Sequence, residues 1–299
     1  MASMKKILVT GAGGFVGTHL IAFLAKKNYQ LTALVMTNRE KKRLKGTRSV
    51  LVADLSKKGT WQKNLTGYDL VIHLAAQISA KTPDLFIKNN VVATQNLIDA
   101  LKKSKVPEII HFSSAAVTSI RLDDYARTKK TQEETVRKSK LKYTVLRPSM
   151  IYGPGDTKNV GWLIKIVKSL PIIPLPGGGG FGRQPVFVED ICRIVEKTIK
   201  TGSKNKIYEI HGKEYVSMKR MINVIVKKLK AKRILINVPI ALLLLAVKAN
   251  EFLLPNPKFT TDQIMSLISG EKFKGDKWWI TFDIIPTKFE TGVAKMIKG

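Results

Sequence analysis

A single cysteine, Cys192, among 299 residues leaves no partner for a disulfide, and four scattered histidines, His19, His73, His111 and His211, offer no ligand cluster for zinc. A disulfide framework and a metal site are therefore set aside, and a reducing compartment fits. Long apolar runs are also missing. The longest, residues 239–247, lies between Asn237 and Lys248 and is far short of the ~20 residues that span a bilayer. No leader is visible, because Met1-Ala2-Ser3, which reads as an appended remnant, runs at once into Met4-Lys5-Lys6. The reading is a soluble, cytoplasmic protein. Acid is scarce: 22 Asp and Glu face 52 Lys and Arg, a net charge of +30. Such a field attracts polyanions. The lysines, however, are spread over nearly every expected surface helix, without interleaved aromatics or a recognised motif, so no specific nucleic-acid partner is expected.

What is present is enough apolar residue, 44%, to bury one large core and a smaller appended one. Runs of strand length occur at residues 6–9, 31–36, 50–53, 70–74, 109–113 and 143–146, and segments of helical period follow most of them, as at 15–25 and 90–102. This alternation predicts an α/β fold, a doubly wound parallel sheet with helices on both faces. After Arg147-Pro148 glycine and proline punctuate the chain around one expected helix, 162–170. A helix and a strand return over 186–200 and 207–210. The boundaries that follow are a dinucleotide-binding domain of residues 1–155 and 186–212, and a smaller, mostly helical substrate cap of residues 156–185 and 213–299.

Two local patterns carry chemistry. The first is Thr10-Gly11-Ala12-Gly13-Gly14-Phe15-Val16-Gly17, which closes a strand and opens a helix. Gly11 permits a tight bend, Gly14 lets the backbone approach a pyrophosphate, and Gly17 lets the helix pack on the sheet, while the helix amino end offers unpaired N–H donors. Beyond the second strand stands Met36-Thr37-Asn38-Arg39, with no carboxylate for a ribose 2′-hydroxyl. Arg39 favours the 2′-phosphate of NADP over NAD, with a solvated surface arginine as the alternative. Asp54, after the third strand, is placed either to receive an adenine amino group or to cap a helix starting near Ser56.

The second pattern is Tyr125-Ala126-Arg127-Thr128-Lys129. Four residues apart, the phenol and the ammonium share a helix face. An adjacent cation favours phenolate and brings a group of pKa near ~10 toward use as an acid or base. Ser114, at the end of the fifth strand, is positioned to hydrogen-bond a reacting carbonyl or alcohol. His73 and His111 read as satisfied core residues, and the segment Leu242 to Leu245 as pocket cover or core.

With these residues in view, the chain resembles the extended short-chain dehydrogenase/reductases, the NAD(P)-dependent epimerases, dehydratases and reductases. The likeness runs from residue 5 to about 210, through the glycine turn, His73-Leu74-Ala75-Ala76, Asn90 with Thr94, Ser113-Ser114, Tyr125 with Lys129, the stretch from Arg147 to Asp156, and Pro185-Val186-Phe187-Val188-Glu189-Asp190. It implies a Rossmann domain. It also implies catalytic roles for Ser114, Tyr125 and Lys129, with Ser113 the lesser substitute for Ser114. Phe15, Val16, Leu55, Leu74, Ala75, Ala76, Pro148, Met150 and Ile151 are implied to join Gly11, Gly14, Gly17, Arg39, Asp54, Tyr125 and Lys129 around the cofactor. Gln77, Ser114, Tyr152 and Arg183 are implied to meet substrate, Arg183 at the diphosphate of a nucleotide sugar or else as an ordinary surface charge.

Departures narrow the reading. Ala115-Ala116 replaces the acidic pair of sugar-nucleotide dehydratases, which argues against dehydration, and only ten residues separate Ser114 from Tyr125. The carboxy-terminal pattern, residues 239–254, Thr261-Asp262-Gln263 and Ile285-Pro286-Thr287-Lys288-Phe289, is similar to the atypical branch related to the 39 kDa accessory subunit of complex I. The expected function is hydride transfer at a hydroxyl or carbonyl carbon, of a nucleotide-linked sugar, by an epimerase or reductase using NADP or NAD. The alternative is a noncatalytic NADP-binding accessory or sensor protein at a membrane surface. The family also implies a homodimer as the assembly to consider.

Overall fold

Strands buried on both faces are mainly apolar, and the two central ones of this chain follow that rule with His73, Glu108 and His111 as exceptions: every residue of Leu70–His73 and of Glu108–Phe112 is buried. In the computed structural model these are β4 and β5 of a seven-stranded sheet. Its other members are β1 (Lys5–Thr10), β2 (Tyr29–Val35), β3 (Ser49–Val52), β6 (Lys142–Pro148) and a seventh strand, Lys206–Ile210. The order is seventh–β6–β5–β4–β1–β2–β3, and every pair is parallel. Strand order reverses between β1 and β4, where a doubly wound sheet opens a crevice. The structure describes all residues except 1–3, 45–46, 48, 120–121, 254–260, 262–264, 266–267, 269, 271, 274, 276 and 299, and only the backbone at 250, 252 and 253. The appended remnant and part of the carboxy-terminal pattern, Leu254, Asp262 and Gln263, lie outside the described residues.

The chain divides into two units. The first comprises Met1–Ser149, Val188–Ile210 and Asp276–Ile284. Helix Phe15–Leu24 packs with helix Val188–Thr201, and helix Ala93–Lys103 packs with helix Asp124–Arg137. Under the second pair lies a core of Leu8, Val71, Leu97, Leu101, Ile109 and Val136. The sequence reading placed everything after residue 213 in the cap. The structure returns Trp278–Thr281 to the first unit beside the seventh strand, with the Phe282 ring 4.9 Å from Tyr208, because a Trp-Trp-Ile-Thr-Phe segment supplies apolar cover for that sheet edge.

The second unit holds Met150–Phe187, His211–Gly275 and Ile285–Gly299. Helices Val160–Ser169, Met218–Leu229 and Phe289–Lys298 pack around Tyr152, whose ring lies 5.4 Å from Phe187 and 5.3 Å from Phe289. Tyr152 was expected to meet substrate. It is fully buried instead, and its hydroxyl donates to the Phe289 carbonyl at 3.4 Å. A second correction concerns the helix Ile240–Leu253: Leu242 and Leu245 are exposed and Leu243 and Leu244 only half-buried, so the segment does not pack as core.

One buried ion pair fixes the helix Asp124–Arg137 on the sheet. Arg147 of β6 donates to Glu133 from Nε at 2.9 Å and from Nη2 at 2.6 Å, and Ser113 Oγ donates to the same carboxylate at 2.8 Å. Glu133 is buried, so deleting it leaves the buried Ser113 hydroxyl and the partly buried Arg147 guanidinium without their main partner, with only Glu209 at 3.8 Å left to Arg147. Glu133→Ala is expected to lower unfolding free energy by about 3–5 kcal/mol, read from urea midpoints, whereas a loss under ~1 kcal/mol would show the pair to be dispensable.

Candidate active site

Beyond β1 the chain bends through Gly11 at φ +66°, and a Cβ there would stand 2.6 Å from the Ala75 nitrogen. The first turn and the loop after β4 thus touch backbone to backbone, an approach only glycine allows. A Cβ at Gly17 would lie 2.4 Å from the Gly11 carbonyl oxygen, so the third glycine seats the helix on the turn. Gly14 is the N-cap of helix Phe15–Leu24 and no side chain caps that end. Its first-turn N–H groups and positive dipole end face the turn, which suits a phosphate. Phe15 and Val16 are half-buried at this helix start. The cleft above is lined by Gly11, Gly14, Asp54, Leu55 and residues 74–77, which brings Gly11, Gly14, Asp54, Leu55, Leu74, Ala75 and Ala76 of the residues expected around a dinucleotide together. Glycines that a Cβ would fill, beside uncapped donors, fit a pyrophosphate.

One lining residue escaped the sequence reading. Glu40 reaches back to accept from the Met36 N–H at 2.8 Å, and its carboxylate enters the cleft at the end of β2, while Arg39 is exposed and does not line it. The strand end itself carries no acid, whereas a short helix, Asn38–Lys41, brings one back four residues after Met36. Asp54 lines the cleft and accepts from the Ser56 N–H at 2.9 Å and its hydroxyl at 2.7 Å. It therefore caps a turn, since the next helical segment begins only at Thr60.

The second pattern lies on helix Asp124–Arg137, whose N-cap Asp123 accepts from the Ala126 N–H at 2.7 Å. The Tyr125 hydroxyl lies close enough to the Ser114 side chain for that neighbour to favour its ionised form. Ser114 follows β5 and caps the turn Ala115–Thr118, which holds its hydroxyl in place. Ser113, the alternative, is turned away onto Glu133. Lys129 is fully buried, and its Nζ donates to the Phe112 carbonyl at 2.5 Å. Burial pushes this lysine down to about 7, with Glu133 acting the other way. The expected lowering of the phenol is corrected: burial raises Tyr125 above its ordinary value, the nearby Ser114 side chain opposes that, and Asp123 adds to the rise. A buried, weakly charged lysine drawn toward Phe112 does not offset the loss of water.

Polar side chains beneath the cleft tie these parts together. Asn90, in a π-helical stretch Ile87–Val92, accepts from the Gln77 N–H at 2.6 Å and donates to the Gln77 carbonyl at 3.1 Å and to Thr128 Oγ1 at 3.0 Å. One amide thus clamps the cleft rim to the tyrosine helix. Gln77, expected at substrate, lines the cleft with its side chain bonded to Ser79 and Asn89. His73 is satisfied between Thr10 Oγ1 at 2.7 Å and Thr94 Oγ1 at 3.0 Å. His111, its neighbour at 5.4 Å, is buried with neither ring nitrogen bonded, so the expectation of a satisfied core histidine holds for one of the two. Both imidazoles are held neutral by burial and by the nearby Lys129 cation, His73 at about 3.

The remaining expected residues lie at the end of β6 and in the second unit. Pro148 is buried at the end of β6 in the first unit. Met150 and Ile151 are half-buried in the second, where Arg183 sits half-buried in a two-residue strand, Gly182–Arg183, paired with Val216–Ser217.

The glycine turn, the strand order and the serine–tyrosine–lysine constellation define a dinucleotide-binding protein of the extended short-chain dehydrogenase/reductase type. The chain belongs to the NAD dependent epimerase/dehydratase family, which it matches over residues 7–210. Among curated relatives, a ceramide reductase of Caulobacter vibrioides is 29% identical over 170 residues, 56% of this chain and 53% of that protein. UDP-glucuronate 4-epimerase 5 of Arabidopsis thaliana is 25% identical over 288 residues, 78% of this chain and 66% of that one. The shared stretch is thus between about half and two thirds of these relatives' length. Of solved structures, the UDP-glucuronic acid 4-epimerase of Bacillus cereus in complex with NAD superimposes with a TM-score of 0.72 at 22% identity, covering 98% of each chain.

The lysine makes stability depend on pH. Between about 7 and the ordinary 10.5 the folded chain holds Lys129 neutral while the unfolded chain protonates it, so unfolding takes up a proton and stability rises with pH. In the ligand-free protein the slope from this residue is expected to approach about 1.4 kcal/mol per pH unit and to vanish in Lys129→Met. Urea titrations at pH 7, 8 and 9 measure it, and equal pH slopes for the two proteins would refute the burial argument.

Proposed function

We propose that this chain is a nicotinamide-dependent epimerase or reductase in which Tyr125 moves a proton at a hydroxyl or carbonyl carbon. The observation that carries this is the nearness of Tyr125 to Ser114, with Lys129 buried one turn along the same helix and that helix clamped by Asn90 to the rim of the glycine cleft. A nicotinamide dinucleotide held by Gly11, Gly14 and the first-turn N–H groups of helix Phe15–Leu24 would supply hydride transfer. Ser114 orients the substrate oxygen, Tyr125 takes or gives its proton, and Lys129 supplies the nearby positive charge that a ligand-free site only partly sustains. Burial of the phenol keeps water from competing for that proton.

A carboxylate rather than a guanidinium at the end of β2 favours NAD, reversing the preference inferred from Arg39. Glu40 would accept from a ribose 2′-hydroxyl and repel a 2′-phosphate. For substrate, a nucleotide-linked sugar is favoured by the UDP-glucuronate 4-epimerase relative, with Arg183 as the residue for its diphosphate. The relative named for ceramide favours a second reading, a reductase of a lipid-borne carbonyl. Turnover of a UDP-sugar with no net change in nicotinamide absorbance supports the epimerase, net consumption of reduced cofactor supports the reductase, and cofactor binding with neither returns the noncatalytic reading. Unchanged affinity for every nucleotide sugar in Arg183→Ala would remove the diphosphate role.

Tyr125→Phe is expected to lower kcat by about 10²–10⁴-fold with little change in cofactor Kd by calorimetry; wild-type turnover in that variant would end the catalytic assignment. Glu40→Gln is expected to weaken NAD binding by about tenfold and to narrow the gap to NADP. Tighter binding of NADP than NAD by the unaltered protein would overturn the cofactor reading.

A further inference from the structure

In the second unit Ile172–Pro176 and Ile234–Val238 form a two-stranded parallel ribbon, with Ile234 beside Ile172 and Ile236 beside Pro174. Side chains alternate along such strands. Ile173 and Leu175 point into the core and are buried, and Leu235 packs against the same cluster. The opposite face should then be polar. It carries instead Ile172 at 48%, Ile234 at 64% and Ile236 at 45% exposure, with Pro174 exposed beside them. Through Pro239 the ribbon leads directly into helix Ile240–Leu253, where Leu242 and Leu245 are 60% and 67% exposed. Ala241, Ala246 and Ala249 are exposed on the same helix, and Val247 is buried. A helix apolar on its outer as well as its inner side needs a partner.

Charge identifies the partner. The two stretches that build this surface, residues 157–188 and 215–250, contain no aspartate or glutamate. Lys168, Lys230, Lys232 and Arg233 stand within four residues of the strand starts. Arg233 joins the two stretches by donating to the Val167 carbonyl at 2.6 Å and the Lys168 carbonyl at 3.2 Å, which gathers these cations at one end of the ribbon. A second copy is disfavoured, since it would bring like-charged rims together on chains already carrying +30 each. The helix does carry Glu251 near its end, where it accepts from Thr261; apolar side chains flanked mainly by cations match an anionic bilayer, where the isoleucines and leucines enter the acyl boundary and the lysines meet phosphates. No helix among the described residues is long and apolar enough to cross a membrane, so the contact is one of surface docking.

We propose that the outer face of the Ile172–Pro176 and Ile234–Val238 ribbon, with Leu242 and Leu245, docks this protein on anionic lipid bilayers. This assignment is independent of the chemistry at Tyr125. Because a charge of +30 binds any anionic vesicle weakly, the test must separate apolar insertion from diffuse attraction. The full chain is floated with vesicles of phosphatidylcholine alone and of phosphatidylcholine with 30% phosphatidylglycerol (roughly the anionic content at which basic surfaces bind well), at about 150 mM salt. Three proteins are compared: wild type, the uncharged change Ile234→Ser with Ile236→Ser, and a control removing lysines elsewhere, Lys102→Gln with Lys105→Gln, from an exposed basic patch of the first unit. All substituted side chains are exposed or half-exposed, and unchanged thermal midpoints confirm folding.

Wild type and the lysine control are expected to float with the anionic vesicles, the double serine variant to partition about tenfold less, and none to float with the neutral ones. In addition, L245W should show tryptophan emission shifting to the blue only when anionic vesicles are added. Equal flotation of the serine variant and wild type, or an equal loss in the lysine control, would mean diffuse charge alone and overturn the proposal. Emission of L245W already blue-shifted without vesicles, or a concentration-dependent dimer in sedimentation that the serine variant abolishes, would assign the face to the chain itself or to a second copy and also overturn it.

Discussion

The first turn and the loop after β4 press backbone on backbone, Gly11 against Ala75, and the rest of the candidate site is built outward from that contact. Any side chain at Gly11 would wedge β1 from β4, and any at Gly17 would lift the helix from its turn. Because both positions are bare, the carboxyl ends of the two strands and the helix amino end converge on one crevice. The donors that face it are fixed by main-chain geometry, so they are ready for a phosphate without reorganisation.

Around this contact the molecule spends buried polar side chains, which in a core of this kind are costly unless each finds a partner. They concentrate in one layer. Thr10, His73 and His111 stand in register across β1, β4 and β5, and Thr94, Asn90, Thr128 and Gln132 meet that layer from the helices. The Glu133–Arg147 pair with Ser113 closes its far side. These ties determine where the tyrosine helix sits relative to the cleft, and hence where the phenol and the ammonium lie. Lys129 is the group most exposed to their consequences: an ammonium enclosed by carbonyl, imidazole and amide groups loses hydration and half its charge near neutral pH.

Legibility in the sequence followed the range of the interaction. The glycine turn, the tyrosine–lysine spacing and the strand–helix alternation are local patterns, and each reappears in the structure at or near its expected residues. Features made by chain segments distant in sequence were misjudged or missed. Tyr152 read as a substrate contact because its neighbours form a motif, yet Phe187 and Phe289 enclose it. Glu40 went unnoticed because the acid was sought at the strand end, whereas a short helix returns it to the cleft. The pair Ser113-Ser114 is ranked by the sequence and separated by the structure, where Glu133 takes the first hydroxyl and the second lies near Tyr125.

The amino-acid order alone determined the class of fold, the glycine turn and the tyrosine–lysine spacing on one helix, because hydrophobic period, glycine sterics and helical spacing act over a few residues. Tertiary structure decided the protonation tendencies of that pair, the acid in the cleft and the apolar face left on the second unit. Those depend on desolvation and on which surfaces meet, and such quantities exist only once remote segments have been brought together.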